Sequence, residues 1–117
     1  MLPITGLPMG IQTEAAGIMP RSASHFAPFA KAMGHPTRIA ILKFLASRNE
    51  CFFGDIHEVL PISKATVSQH LSQLKNAGLI QGEIFSPKVK YCINPEKWEI
   101  AQVLFNELFY SYKDFHH

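Results

Sequence analysis

A run of apolar residues at helical spacing, bounded by a start signal and a stop signal, lies in the middle of the chain. In the stretch SKATVSQHLSQLKNAG, Val67, Leu71 and Leu74 recur every three or four residues, as on the buried face of an α-helix. Ser63 offers a hydroxyl at the N-cap, and Gly78 is typical of the position just after a helix. The sequence therefore predicts a helix between these signals whose opposite face is polar.

The residues before this helix predict a helical bundle with one short strand. SHFAPFAKAMG, from Ser24, predicts a first helix, and HPTRIAILKFLASRNE predicts a second, with Pro36 in its first turn. CFF predicts a brief strand, after which Asp55 is expected to cap a third helix, IHEVL, that ends at Pro61. Two helices thus flank a turn of only a few residues.

The residues after the central helix predict a β-hairpin and a last helix. LIQGEIF and KVKYCIN are strand-like and are joined around Ser86 and Pro87. Pro95 opens the last helix, EKWEIAQVLFNELFYSY, whose apolar face is wider than one partner helix needs. The first helix has its own phenylalanine stripe. The surplus apolar surface at both ends predicts a twofold interface between copies of the chain.

Composition predicts one soluble, cytoplasmic domain. The 117 residues are 47% apolar, enough for a single core. We expect a flexible tail over residues 1 to 23 and a folded domain over residues 24 to 117. The sequence shows neither a membrane span, which needs roughly 18 apolar residues, nor a signal peptide. The two cysteines lack the spacing of a secreted disulfide scaffold.

Positive charge is concentrated on and after the central helix. The whole chain carries only +2, too little to indicate a polyanionic partner. Between Ser63 and Lys90 there are four lysines against Glu83 alone, a local charge of +3. The polar helix face carries a cation, hydroxyls, an amide and an imidazole, which suit base edges and phosphates. Residues 63 to 74 include no acidic side chain, as a surface that meets phosphate requires.

Helix, turn, helix and hairpin is the arrangement of a winged helix-turn-helix domain, mainly α with a small β-hairpin. GHPTRIAIL, SKATVSQHLSQLKNAGLI and KVKYCIN resemble the arsenic-repressor (ArsR/SmtB) family of dimeric bacterial transcription repressors over about residues 24 to 110. The resemblance implies a homodimer, formed by the first and last helices, that binds an inverted repeat in a DNA operator. It implies a recognition helix over residues 63 to 77 and a wing over residues 84 to 93.

The predicted DNA contacts lie on the recognition helix and the wing. The resemblance places Ser68, Gln69 and His70 at groove-reading positions. We expect His70 to face the groove because Leu71 takes the buried position beside it, although a core histidine is the alternative. The predicted contact residues are Ser63, Lys64, Thr66, Ser68, Gln69, His70, Lys88 and Lys90.

The family's metal sites are not expected in this chain. Where many members have two cysteines before the third helix, ECFFGD has Phe52 and Gly54, whose side chains cannot bind a metal. The last helix lacks the histidines of a second family site, and DFHH at residues 114 to 117 follows its expected end. We therefore predict neither a metal nor another cofactor, and the inducer is not predicted.

Cys51 and Cys92 allow two interpretations. If CFF pairs with YCI, as in many winged helices, the two thiols come close together. They would then form a thiol switch, or a soft-metal or arsenite site, that reshapes the wing and loosens DNA. Alternatively, both are small apolar fillers of their strands, because free cysteines are commonly buried.

An enzymatic function is not predicted, because the sequence has no glycine-rich phosphate loop, no paired carboxylates beside a base and no nucleophile motif. The alternative to a DNA-binding repressor is a winged helix that serves only as a protein-interaction module. Salt separates the two, since DNA affinity falls steeply as salt rises and an apolar protein interface is far less sensitive.

Overall fold

A computed structural model of the chain describes residues 21 to 112. Within these residues, four α-helices and three β-strands occur with one short 3-10 helix. The order is α1 (Arg21–Met33), α2 (Pro36–Ala46), β1 (Phe52–Phe53), the 3-10 helix (Ile56–Glu58), α3 (Lys64–Asn76), β2 (Ile80–Phe85), β3 (Lys88–Ile93) and α4 (Pro95–Phe109). The prediction of a mainly helical winged helix-turn-helix fold is confirmed.

Two helices begin at the prolines that the sequence indicated. Pro36 opens α2 directly after His35, whose Nδ1 accepts a hydrogen bond from the backbone N–H of Thr37 at 3.0 Å. Pro95 opens α4 after Asn94, whose side chain accepts a backbone hydrogen bond in the same way. Proline suits this position because the first N–H groups of a helix have no partner inside the helix.

Two boundaries differ from prediction. Helix α1 spans Arg21–Met33, so the last three residues of the tail predicted over residues 1 to 23 are helical, and residues 1 to 20 lie outside the described part of the chain. The predicted third helix is only the 3-10 turn, and Asp55 makes no side-chain capping hydrogen bond there. Few residues separate Asp55 from Pro61, and such a short segment cannot repay the cost of nucleating an α-helix.

The three strands form one antiparallel sheet in the order β1, β3, β2. Phe52 of β1 lies opposite Tyr91 of β3, which confirms the predicted pairing of CFF with YCI. Ile80 of β2 lies opposite Ile93 of β3, so the hairpin is longer than the wing predicted over residues 84 to 93.

The core lies between the helices and the inner face of the sheet. Its least exposed large side chains are Ile41 of α2, Ile56 of the 3-10 helix, Leu74 of α3, and Leu79 just before β2. Burying each such side chain contributes roughly 1.5–3 kcal/mol. Trp98 of α4 packs against this core. No helix in residues 21 to 112 is long and apolar enough to cross a bilayer.

Candidate nucleic-acid interface

Helix α3 has the buried stripe and the cap that the sequence indicated. Val67, Leu71 and Leu74 are buried against the core. The Ser63 hydroxyl accepts a hydrogen bond from the backbone N–H of Thr66 at 3.3 Å and donates one to the Thr66 hydroxyl at 2.9 Å. Ser63 is therefore the N-cap, as predicted, and its hydroxyl serves the helix in addition to any role toward a partner.

The opposite face of α3 is exposed and carries no carboxylate. Lys64, Ser68 and Gln69 lie on this face, whereas Thr66 is half-buried. Ser72 and Gln73 are also exposed and lie one helical turn after Ser68 and Gln69, which extends the same polar surface. Neither residue is among the contacts predicted from the sequence, although their spacing of four from Ser68 and Gln69 was the signal. The exposed face of α3 offers hydroxyl and amide groups without negative charge.

The prediction that His70 faces outward is wrong. Its side chain is only 8% exposed. His70 is three residues after Val67 and so falls within the buried stripe of α3, beside Leu71 rather than opposite it. Its ring lies 4.3 Å, centroid to centroid, from the ring of His35. His70 is thus a buried histidine in the middle of α3.

A hydrogen bond from Arg38 explains how an imidazole is tolerated in this position. Arg38 Nε donates to His70 Nδ1 at 3.0 Å, and Arg38 Nη1 donates to the carbonyl of Ala32, near the end of α1, at 3.3 Å. Burial above all, and then the positive charges of His35 and Arg38, lower the pKa of His70 below its ordinary value. A neutral His70 can accept at Nδ1, so Arg38 links α1, α2 and α3.

The junction between α3 and β2 fixes the wing relative to the recognition helix. Gly78 has a φ of 84°, in the left-handed region that favours glycine. The Leu79 N–H donates to the Leu74 carbonyl at 3.1 Å and the Gly78 N–H to the Lys75 carbonyl at 2.9 Å. These two bonds form a Schellman motif, which satisfies the last carbonyls of the helix. The chain therefore turns directly from the recognition helix into the wing.

The two predicted lysines of the wing have different surroundings. Lys88 is exposed at the start of β3. Lys90 is partly buried, with its Nζ 3.9 Å from Glu83 Oε1 and 5.8 Å from the ring centroids of both Phe53 and Phe85. Exposed ion pairs are worth only about 0–1 kcal/mol, so Lys90 can exchange Glu83 for a phosphate. The Glu83 ion pair is with Lys90, so Lys88 does not have to leave Glu83 in order to contact a phosphate.

The two cysteines are joined to each other. A disulfide links Cys51 and Cys92, whose Cα atoms are 4.6 Å apart. The prediction that the strand pairing brings the two thiols together is confirmed, and the interpretation of both residues as separate free fillers is wrong. Both side chains are only partly buried.

Among residues 21 to 112, one group of side chains has the composition of a metal site. Potential ligand atoms of Asp55, His57 and Glu58 lie within 4.8 Å of one another on and beside the 3-10 helix. Asp55 and Glu58 are exposed, and exposed acidic groups are common without a bound ion. We assign no metal to them. The predicted absence of a site at DFHH concerns residues outside the described part of the chain.

A capped helix with a polar outer face free of carboxylates, a short preceding turn and a hairpin wing define a winged helix-turn-helix protein with a surface suited to DNA. The sequence profile described as "Bacterial regulatory protein, arsR family" matches residues 35–81. The chain is 32% identical over 84 residues to the HTH-type transcriptional regulator YgaV of Escherichia coli, covering 72% of this chain and 84% of that protein. It belongs to the arsR family of DNA-binding transcriptional regulators, which are not enzymes.

Two further comparisons concern part of the sequence and the fold. The chain is 41% identical over 51 residues to the uncharacterized HTH-type transcriptional regulator MJ1325 of Methanocaldococcus jannaschii, covering 44% of this chain and 57% of that protein. Its fold is similar to the structure of an ArsR-like transcriptional regulator from Rhodococcus sp. RHA1, with a TM-score of 0.63 and 17% identity. That match covers 77% of this chain and 84% of the other.

Proposed function

We propose that this regulator is a sequence-specific repressor that binds an inverted-repeat operator as a homodimer in the cytoplasm. The observation that carries the proposal is the exposed face of α3, which offers hydroxyls, amides and a lysine with no carboxylate between Ser63 and Asn76. Short donors and acceptors on one helix face suit base edges in the major groove, and the absence of negative charge suits the flanking phosphates.

The proposed contacts divide by chemistry. Gln69 and Ser68, extended by Gln73 and Ser72, lie where a helix in the major groove would read base edges. The other contacts of the set are to phosphate: Lys64 with Ser63 and Thr66 at the start of α3, and Lys88 with Lys90 on the wing. His70 is left out of the proposed set because its side chain is buried and accepts a hydrogen bond from Arg38.

The proposed homodimer is supported by apolar side chains that the monomer leaves exposed. On α4, Val103 is 51% exposed and Phe109 is 66% exposed. Helix α1 lies against this helix, and the Phe26 and Phe105 rings pack edge to face with their centroids 4.6 Å apart. A twofold axis at this surface would place two recognition helices one DNA turn apart, roughly 34 Å, and so match a palindromic site.

Fluorescence-anisotropy titrations test the proposal. The protein is titrated against its own upstream promoter fragment and a scrambled duplex of the same composition, at about 50 and 200 mM salt. We expect tighter binding to the promoter, together with a steep loss of affinity for both duplexes at the higher salt. Equal affinity for the two duplexes would refute specific operator binding. Binding to neither duplex at either salt concentration would indicate the protein-interaction module instead.

A further inference from the structure

The register of the sheet places Cys51 directly opposite Cys92. Phe52 pairs with Tyr91, so the residue before Phe52 faces the residue after Tyr91. The Gly54 N–H donates to the Val89 carbonyl at 3.1 Å, so these two opposite residues form a hydrogen-bonded pair of the antiparallel ladder. Because pairs alternate along an antiparallel ladder, Cys51 and Cys92 form a non-hydrogen-bonded pair, for which the Cα separation is about 4.5 Å. The observed 4.6 Å is thus the spacing of the sheet itself.

The two sulfurs have different surroundings. Cys51 and Cys92 both line a cavity of about 270 Å³ that Arg48 and Glu50 also line. Cys51 alone also lines a neighbouring cavity of about 500 Å³, together with Arg48, Glu50 and Lys90. The Arg48 guanidinium carbon lies 5.1 Å from the centroid of the Phe52 ring, which holds it near the strand. Cations beside a thiol favour the reactive thiolate. Arg48 and Glu50 line both cavities, so the difference between the two cysteines is Lys90, which lines the cavity that Cys51 lines without Cys92.

We propose that Cys51 and Cys92 are a reversible oxidation site for peroxides, with Cys51 as the attacking thiol and Cys92 as the resolving thiol. The Cys51 thiolate attacks one peroxide oxygen, the O–O bond breaks, and the first water leaves as the sulfur becomes a sulfenic acid. The Cys92 sulfur then attacks the Cys51 sulfur, the S–O bond breaks, and the second water leaves. Two thiols have lost two electrons and two protons to the peroxide, and a dithiol reverses the reaction by exchange.

The consequence for DNA binding rests on the proposed function. β1 has only two residues, and it begins the segment that runs through the 3-10 helix to the cap of α3. The disulfide ties the start of this segment to β3, which carries Lys88 and Lys90. Formation of the disulfide leaves the strand register unchanged. It therefore restricts the movement of the wing and of the segment that leads to α3 without altering their structure. Oxidation therefore strengthens operator binding, which is the reverse of the loosening expected from the sequence.

The chemical part of the proposal is tested without DNA. Reduced protein treated with hydrogen peroxide is expected to lose two alkylatable thiols and the mass of two hydrogens while remaining one chain. Dimedone should label Cys51 in the Cys92→Ser variant far faster than Cys92 in the Cys51→Ser variant. Arg48→Gln should slow the oxidation by about tenfold, and Arg48→Lys, which keeps the charge, should restore most of the rate. Unchanged thiols, or equal labelling of the two single variants, would overturn the assignment.

The regulatory part is tested by anisotropy on the promoter fragment. The oxidised protein is expected to bind about fivefold more tightly than the dithiothreitol-reduced protein, because less freedom is lost on binding. The double variant Cys51→Ser/Cys92→Ser should match the reduced protein with or without peroxide. Equal promoter affinity in both redox states would refute the switch and leave the proposed repressor intact. Loss of promoter preference in every form would refute the repressor, while dimedone labelling still decides the oxidation site.

Discussion

At the scale of the residue, Gln69 and Asn49 carry the same kind of exposed amide in different places. Gln69 lies on the outer face of α3, where a bidentate contact to a base edge is available, whereas Asn49 lies in the turn after α2. We expect Gln69→Ala to reduce discrimination at one position of each half-site by about 1 to 3 kcal/mol. Titration against duplexes with single base changes measures this. Asn49→Ala is the control, and a Gln69→Ala protein with the parent's discrimination would refute the assignment.

Lys88 is expected to act on every sequence alike. Its exposed ammonium at the start of β3 suits a phosphate, which carries no base information. Lys88→Ala should weaken binding to promoter and scrambled duplexes equally and reduce the slope of log affinity against log salt by about 1. The exposed Lys43 of α2 gives the matched control, Lys43→Ala. A selective loss for the promoter would instead assign Lys88 to base readout.

His70 makes stability depend on pH. Because burial and the charges of His35 and Arg38 lower its pKa in the folded chain, the unfolded chain binds more protons once the pH is below the ordinary histidine pKa. The stabilisation is complete above that ordinary value and is lost as the pH falls through it toward the folded value. In urea unfolding at about pH 7.5 and 5.5, the free energy of unfolding should fall less between the two pH values for His70→Gln than for the parent.

The control for this pH effect is His57→Gln, which removes a half-buried histidine from the 3-10 helix and should retain the parent's acid sensitivity. Comparing the two variants cancels the general effect of acid on carboxylates. If the His70→Gln protein lost as much stability as the parent, the imidazole would not be the group responsible.

At the scale of the element, features that depend on local sequence signals could be predicted, whereas features that depend on distant residues could not. Helix α3 followed from its cap, its apolar stripe and Gly78, because each acts over a few residues. The spacing from Val67 places His70 in the buried stripe, but the group that lets an imidazole be buried there, Arg38, is 32 residues away in the sequence and could not be inferred locally. The polar face of α3 was predicted from composition, yet Ser72 and Gln73 required the helical spacing to be continued by one turn.

The sheet gives an element-scale prediction about stability. The Cys51–Cys92 disulfide spans 41 residues, and closing a loop of this length restricts the unfolded chain. On a chain-entropy estimate, reduction should lower the free energy of unfolding by up to about 4 kcal/mol. Urea unfolding with and without dithiothreitol measures the change. The double variant Cys51→Ser/Cys92→Ser should be insensitive to dithiothreitol, and a parent protein of equal stability in both conditions would contradict the estimate.

At the scale of the whole molecule, the proposed dimer accounts for apolar surface that the monomer leaves in water. The exposed side chains of α4 lie on a helix that already packs against α1, so they are surplus to the core of one chain. A second copy can cover the same patch on both partners, whereas an unrelated partner need not preserve a twofold axis. The proposed palindromic operator and the proposed dimer through α4 therefore depend on the same symmetry.

Val103→Asp tests the proposed dimer interface, and Ile84→Asp is its control. Val103 is 51% exposed on α4 and Ile84 is 82% exposed on the wing, so neither substitution removes a core side chain. A buried aspartate at a dimer interface is costly, and we expect Val103→Asp to sediment with the mass of one chain and to bind the promoter much more weakly. Ile84→Asp should keep the mass of two chains. If Val103→Asp remained a dimer, the interface would lie elsewhere, and the proposed spacing of the two recognition helices would lose its basis.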